Sequence, residues 1–137
     1  MELMRIAIVV EKSLSPGQIG NVAAILMGQA ALLRPDVYDQ SPPTDLDGNR
    51  HAGIKFSTVV LKAGQIQLLN TARTISADPN LSVILFTQLG QGLHNAYEEY
   101  SKTITSSSVE QLQPVGFVVV GPDEAVRAAT KKFSLLQ

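Results

Sequence analysis

Short apolar runs alternate along the chain with segments of helical periodicity. Four runs rich in β-branched residues predict strands that are covered on both faces, at 6–10, 56–61, 81–86 and 115–120. Helices are predicted at 16–34, 64–77, 90–104 and 121–132. Because strands alternate with helices, residues 1–137 are expected to form one α/β domain of three layers around a mostly parallel four-stranded sheet.

The first helix has the clearest start signal. Ser15 is placed to cap it, Pro16 takes the first helical position, and Gln18 completes a capping box. Apolar residues then recur at spacings of three and four, which predicts a buried stripe. Asn21 interrupts this stripe. A poor helix former needs a role at such a position, and a buried hydrogen bond and a ligand contact both satisfy that need.

Residues 36–55 are rich in Asp, Pro, Gly and Asn and show no sustained periodicity. They predict a long loop with room for a short hairpin, and loops of this length inside compact domains are often functional. Residues 45–49 superficially resemble a calcium-binding loop, but the glycine comes too early and Phe56 stands where the bidentate Glu belongs. We therefore interpret this segment as a turn.

Composition narrows the class of function. Of 137 residues, 45% are hydrophobic and 17% are charged, which is typical of a folded domain. The formal net charge is −1, so the composition does not support a broad tRNA-binding surface, although it leaves room for a small local site. The chain has no cysteine, and this excludes disulfides and thiol chemistry.

The sequence gives no signal for a cofactor, a metal or a membrane. The two histidines, His51 and His94, are far apart and make a poor metal site. Residues 90–95 lack the third glycine and the acid of a dinucleotide-binding motif. The apolar run near the N-terminus lacks the features of a signal peptide, and no run approaches the length of a membrane span. We therefore expect a cytoplasmic protein without cofactor or metal.

Several segments resemble the archaeal and eukaryotic-type peptidyl-tRNA hydrolases. VVGPDEAVR at 119–127 and KFSLL at 132–136 are similar to that family's last strand, Gly-Pro turn, helix and Leu-rich end. The opening strand, Glu11-Lys12, the loop and Gly17-Gln18 resemble its first strand, basic loop and Gly-Lys helix start. The resemblance implies a peptidyl-tRNA hydrolase II-like fold and a homodimer.

A closer resemblance is to an uncharacterised bacterial family, domain of unknown function number 2000, which is placed in the same fold superfamily. The motifs that carry it are NVAAIL at 21–26, DGN at 47–49 and HNA at 94–96. Each motif is short, and their order along the chain gives the resemblance its weight.

The residues that catalyse the hydrolase reaction are replaced. The hydrolases place Lys, Gln and His on successive turns of the first helix, where this chain has Gln18, Val22 and Ile25. Their Asp-Ala-Gly segment after the third strand corresponds here to residues 87–90, which read TQLG. Ester hydrolysis needs a base that activates water and a group that stabilises the oxyanion. The resemblance therefore implies the fold without the activity.

We expect a ligand site where the first and third strands end, because open α/β sheets bind ligands at the carboxyl ends of their strands. The start of the first helix adds backbone amides that favour anions. The residues expected to hold a small polar or anionic molecule there, with residues 36–55 as a lid, are Lys12, Gln18, Asn21, His94 and Asn95. Simpler interpretations exist for three of them: Gln18 as a cap partner, Lys12 as a solvated lysine and His94 as an exposed histidine.

Three functions are compatible with this site. The preferred one is a binding or regulatory domain for the small polar or anionic ligand. The alternative is a hydrolase of an ester or amide, tRNA-linked or not, with His94 as the base and Lys12 as the electrostatic stabiliser. The third is a structural dimer without chemistry, and a homodimer is also expected because a chain with this apolar content tends to expose an apolar patch.

Overall fold

The computed structural model of this chain describes residues 2–92 and 96–137. A 3-10 turn, Pro35–Val37, follows the first helix. The strands are β1 Met4–Glu11, β2 Ser57–Ala63, β3 Ser82–Thr87, β4 Pro114–Pro122 and β5 Ser134–Leu135. The helices are α1 Pro16–Leu33, α2 Gln65–Ser76, α3 Gln88–Gln91, α4 Tyr97–Thr105, α5 Val109–Leu112 and α6 Asp123–Thr130. The alternation of strands and helices predicted from the sequence is therefore confirmed.

The sheet is mixed, with the strand order β3-β4-β1-β2-β5. β1 and β2 are parallel, whereas β4 runs antiparallel to both of its neighbours, β1 and β3. β5 adds a short fifth strand antiparallel to β2. The prediction of a mostly parallel four-stranded sheet is wrong in both respects. A continuous apolar run indicates that a strand is covered on both faces, but it does not indicate the direction of the strand. β4 is covered on both faces and nevertheless runs antiparallel to its neighbours.

Helices cover both faces of the sheet, which gives the expected three layers. On one face α1 packs Val22, Leu26 and Ala30 against residues of β1 and β4 that point to that side. On the other face α2 and α6 pack against the alternate residues of the same strands, among them Val9 and Phe117. The alternation of side chains along each strand divides one sheet between two cores.

The start of α1 confirms the capping prediction. The Ser15 Oγ accepts a hydrogen bond from the Gln18 backbone N at 3.4 Å, and the Gln18 Oε1 accepts one from the Ser15 N at 3.0 Å. Pro16 is the first helical residue. The helix ends at Leu33, immediately before the predicted stop at Arg34. Local sequence alone therefore determines both ends of this helix.

The prediction of one continuous helix at 90–104 is wrong. α3 ends at Gln91, Gly92 forms a turn, and α4 begins at Tyr97. A methyl group on Gly90 would overlap the Phe86 ring, so the missing side chain lets α3 fold back onto β3. Close packing of backbone on a ring explains this glycine better than a nucleotide motif does.

Two glycines give opposite predictions for alanine substitution. A methyl group on Gly116 would lie 2.9 Å from the Val22 Cγ1 and 3.0 Å from the Val9 carbonyl oxygen, whereas one on Gly28 would meet nothing within 4 Å. We expect Gly116→Ala to lower the free energy of unfolding by about 1–3 kcal/mol through overpacking. Gly28→Ala should raise it by about 0.5–1 kcal/mol, since alanine favours the helix. Urea unfolding of the two variants measures both effects, and equal midpoints would contradict this packing of α1 on β4.

Candidate functional site

The edge of the sheet at which the sequence predicts a ligand site contains the carboxyl ends of three strands. β1, β2 and β3 run in the same direction, so Lys12, Gly64 and Gln88 follow their strands at one edge. β4 lies between β1 and β3, and adjacent strands are about 4.8 Å apart, so the ends of β1 and β3 are separated by about 10 Å. The first and third strands therefore share an edge without being neighbours.

The three described candidates at this edge are all exposed. The stem of Lys12 runs toward the start of α2, with its Cε 4.0 Å from where a Cβ on Gly64 would be. Gln18 uses its Oε1 in the cap, as the simpler interpretation holds. Asn21 is exposed on α1, so the interpretation as a buried hydrogen-bonding residue is wrong. His94 and Asn95 lie outside the described residues.

The loop at 36–55 forms a hairpin that starts at the opposite edge. Tyr38 pairs with Ile54, and Thr44 pairs with Arg50. The hairpin lies between two buried residues, Val37 and Phe56. Ser57, which follows Phe56, pairs with Arg5 in the first half of β1. The base of the hairpin is thus about 20 Å from Lys12 along β1, at 3.3 Å per residue. This placement argues against a lid over the Lys12 edge.

The tip of the hairpin is the turn predicted at 45–49. The Asp45 Oδ1 accepts hydrogen bonds from the backbone N of Asp47 and of Asn49, both at 2.9 Å, and Gly48 has a φ of 87°. The His51 Nε2 lies 2.8 Å from the Asp45 Oδ2. This side-chain hydrogen bond, with the backbone ones, holds the pKa of Asp45 below its usual value. The carboxylate therefore organises a turn.

A hollow of about 380 Å³ lies beside the first helix, and we refer to it as the α1 hollow. It is bounded by α1, by the outer strand β3, by Gly90 of α3 and by α4. The lining residues are Ile25, Leu26, Gln29, Ile84, Leu85, Phe86, Gly90, Tyr97 and Tyr100. None of them carries a formal charge at neutral pH, so the hollow is suited to an apolar or aromatic group.

The aromatic side chains give the hollow its character. Phe86 is buried, whereas Tyr97 is 67% exposed. The rings of Tyr97 and Tyr100 lie with centroids 6.2 Å apart and planes inclined by 35°. Ile25, 41% exposed, lies on α1 and also lines the hollow. A flat ligand entering here would exchange water for rings and aliphatic side chains while the phenolic hydroxyls stay available for hydrogen bonds.

One flank of α1 connects the hollow to the helix start. Gln18, Ile25 and Gln29 are separated by seven and four residues, which are close to two turns and one turn, so they share a flank of the helix. Gln18 lies about 10 Å along the helix from Ile25, at 1.5 Å per residue. Asn21 lies between them, rotated about 60° from Gln18. The polar start of α1 and the apolar hollow therefore lie on the same flank of the helix.

The sequence reasoning missed the residues of the hollow. Its walls come from three distant parts of the chain, and no local motif joins Ile25, Phe86 and Tyr97. A signal was nevertheless present: two of the three tyrosines stand three residues apart, at 97 and 100, in a chain that is 5% aromatic. That spacing places both rings on one side of a helix.

Within 2–92 and 96–137, no group of three or more His, Asp or Glu side chains is arranged to hold a metal ion. Over the same residues no helix combines the length and the apolar character needed to cross a membrane.

Comparisons with known proteins identify relatives without an assigned activity. The family model described as "Protein of unknown function (DUF2000)" matches residues 4–137. The fold is similar to the solved structure of a protein of unknown function from Agrobacterium tumefaciens strain C58, with a TM-score of 0.85 and 20% sequence identity over 100% of both chains. No match was found among curated proteins. At this identity the structural likeness shows the fold alone.

Substitutions at Gln18 test its role in the cap of α1. Gln18→Glu keeps an acceptor for the Ser15 N and adds a negative charge at the helix start, so the melting temperature should be unchanged or slightly higher. Gln18→Ala removes the acceptor and should lower stability by about 0.5–1 kcal/mol. Thermal unfolding measures both. Equal stability of the alanine variant and the unmodified protein would show that the cap contributes nothing.

Proposed function

The chain belongs to DUF2000, a family of proteins of unknown function, and we propose that it is a binding domain for a small amphipathic molecule. The apolar or aromatic part of the ligand occupies the α1 hollow. Its polar or anionic end extends along α1 toward Gln18. The single observation that carries the proposal is a hollow of about 380 Å³, with no charged side chain among its described lining residues, that lies on the same flank of α1 as the polar helix start.

The polar end uses the residues that the sequence singled out. Among the described residues, Gln18 has only its Oε1 engaged, so its Nε2 is available as a donor. Asn21 exposes a second amide on the same side of the helix. Lys12 lies three residues before the cap, and because its stem runs toward the start of α2, its exposed ammonium adds positive charge to this edge without a contact on the α1 flank. These groups favour a carboxylate, sulfonate or phosphate at the end of the ligand.

A fluorescent probe tests this binding mode. The probe 8-anilinonaphthalene-1-sulfonate combines aromatic rings with one anionic group, and its emission rises in apolar sites. We expect saturable binding that Ile25→Asn weakens about tenfold, because losing an aliphatic contact costs about 1.5 kcal/mol. Leu32→Asn is the matched control, since Leu32 is on the same helix, is 77% exposed and does not line the hollow.

Two outcomes would contradict the proposal. One is equal loss of probe binding in Ile25→Asn and Leu32→Asn, since a general change in α1 would then explain the effect. The other is binding that neither substitution alters, which would place the probe elsewhere. A Lys12→Gln variant that keeps its affinity for the probe would remove the anionic end from the proposal and leave the hollow in place.

The alternative function, hydrolysis of an ester or amide, has its expected base, His94, outside the described residues, and the flank of α1 offers no other base. The positions that match the hydrolase residues hold Gln18, the buried Val22 and the apolar Ile25. We expect no peptidyl-tRNA hydrolysis at a rate comparable to the hydrolases, because neither cation, imidazole nor carboxylate is present there. A standard peptidyl-tRNA assay checks this. Turnover that a single point substitution abolishes would revive the hydrolase interpretation.

A homodimer and a cytoplasmic location stay predictions from the sequence. The feature that favours a dimer is β3, which pairs with β4 on one side and has no strand on the other among the described residues. An unpaired strand edge presents backbone donors and acceptors to a second chain.

A further inference from the structure

The outer side of β3 is an unprotected strand edge. β3 is the last strand on one side of the sheet, and among the described residues its backbone hydrogen bonds go to β4 alone. Its sequence, SVILFT, has no charge and no proline, and residues 82–85 are only half-buried. Natural sheets normally shield their edges, for example with a very short strand. The opposite edge of this sheet follows that rule, because β5 has two residues.

The α1 hollow reaches this edge. Ile84, Leu85 and Phe86 follow one another along β3, and all three line the hollow. Ile84 and Phe86 pack in the core on the α1 side, whereas Leu85 packs in the core on the opposite face. Successive side chains of a strand point to opposite faces, so the hollow touches Leu85 at its backbone or around the outer edge. The unpaired edge and the tyrosines of α4, Tyr97 and Tyr100, thus bound the same space.

An unpaired edge beside an apolar hollow matches the two parts of an extended peptide. The backbone of such a peptide supplies N–H and C=O groups with the same two-residue period as the unpaired groups of β3, and its alternate side chains point to one face. A small molecule in the hollow would leave the edge to water. Because no described lining residue carries a charge, the side chain that enters the hollow is apolar or aromatic.

A second copy of this chain fits the edge but not the hollow. In a pair of two β3 strands each copy brings the same side chains, and these already pack inside their own domain. Phe86 is 6% exposed, Ile84 packs on the α1 side and Leu85 on the α2 side. None of them is free to enter the hollow of the other copy. A dimer through β3 and a peptide on β3 exclude one another, and the hollow favours the peptide.

From these features we propose that the α1 hollow and the outer edge of β3 together bind an extended peptide segment. The peptide adds a strand to β3 and places one apolar or aromatic side chain in the hollow. Its hydrogen bonds to the β3 backbone contribute affinity whatever its sequence, whereas the hollow selects the anchoring side chain. This inference rests on the function proposed for the α1 hollow and names the class of its ligand.

Titration of the full-length protein with a designed peptide tests the inference. The probe acetyl-Ser-Thr-Val-Phe-Val-Thr-Ser-amide is uncharged, favours an extended conformation and carries one aromatic anchor. In the millimolar range it should move the backbone amide NMR shifts of residues 82–87 saturably. Replacing its Phe by Ala should weaken binding at least about tenfold, because the ring no longer fills the hollow.

N-methylation of the probe separates strand pairing from apolar contact alone. Alternate N–H groups of a strand face its neighbour, so of two adjacent peptide residues only one donates to β3. Methylating the nitrogen of Phe or that of the Val after it should therefore have unequal effects. One methylation should weaken binding at least about tenfold, and the other should leave it within about twofold.

Matched protein variants locate the anchoring side chain. Ile25→Asn should weaken binding of the peptide about tenfold, because Ile25 lines the hollow. Leu32→Asn should leave the affinity unchanged, since Leu32 is exposed on the same helix and does not line the hollow.

Three results would overturn the inference. The first is the absence of saturable shifts in β3 with the probe. If 8-anilinonaphthalene-1-sulfonate still binds in a way that depends on Ile25, only the peptide is excluded and the function proposed for the hollow stands, whereas loss of both excludes both. The second is an equal effect of the two methylations, which would show a side chain bound without strand pairing. The third is a dimer in light scattering whose dilution shifts the β3 amides without peptide, which would assign the edge to a second copy.

Discussion

The burial of β4 on both faces is the constraint on which the rest of the structure depends. Every residue of β4 from Pro114 to Gly121 is buried, and β1 beside it is nearly as apolar. A strand enclosed in this way can hold no unpaired charge, because desolvation would cost too much. Polar chemistry is therefore excluded from the middle of the sheet. It is confined to strand ends and helix flanks, and the α1 hollow lies along a helix flank.

Close approach of the helices to these strands follows from the same constraint. Gly116 leaves room for Val22 of α1, and Gly121 leaves room for Leu81 before β3. The two glycines sit near opposite ends of β4 and bring different elements onto the sheet. Both contacts thus depend on backbone positions at which a methyl group would overlap a neighbouring side chain. Packing of this kind tolerates little change in volume.

Local signals made part of this fold predictable. The capping box of Ser15 and Gln18 and the apolar runs of the strands act over a few residues, so the sequence shows them directly. The reversed direction of β4 and the pairing of β5 with β2 depend on contacts between distant segments. For the same reason the candidate site was only partly predictable. Its polar residues stood out as sequence motifs, whereas the hollow joins α1, β3 and α4 only in the folded chain.

Packing of α1 explains one of the positions at which the sequence differs from the peptidyl-tRNA hydrolases that it resembles. At the position where those enzymes carry Gln, this chain has Val22, which is 0% exposed and packs on Gly116. A glutamine there would bury an amide among aliphatic side chains without a partner, at a cost of about 1–3 kcal/mol. One turn further on, Ile25 lines an uncharged hollow. A glutamine at position 22 would therefore require repacking against Gly116, and the exposed positions 18 and 25 carry amide and alkyl groups where acid–base chemistry needs a group that takes up or releases a proton.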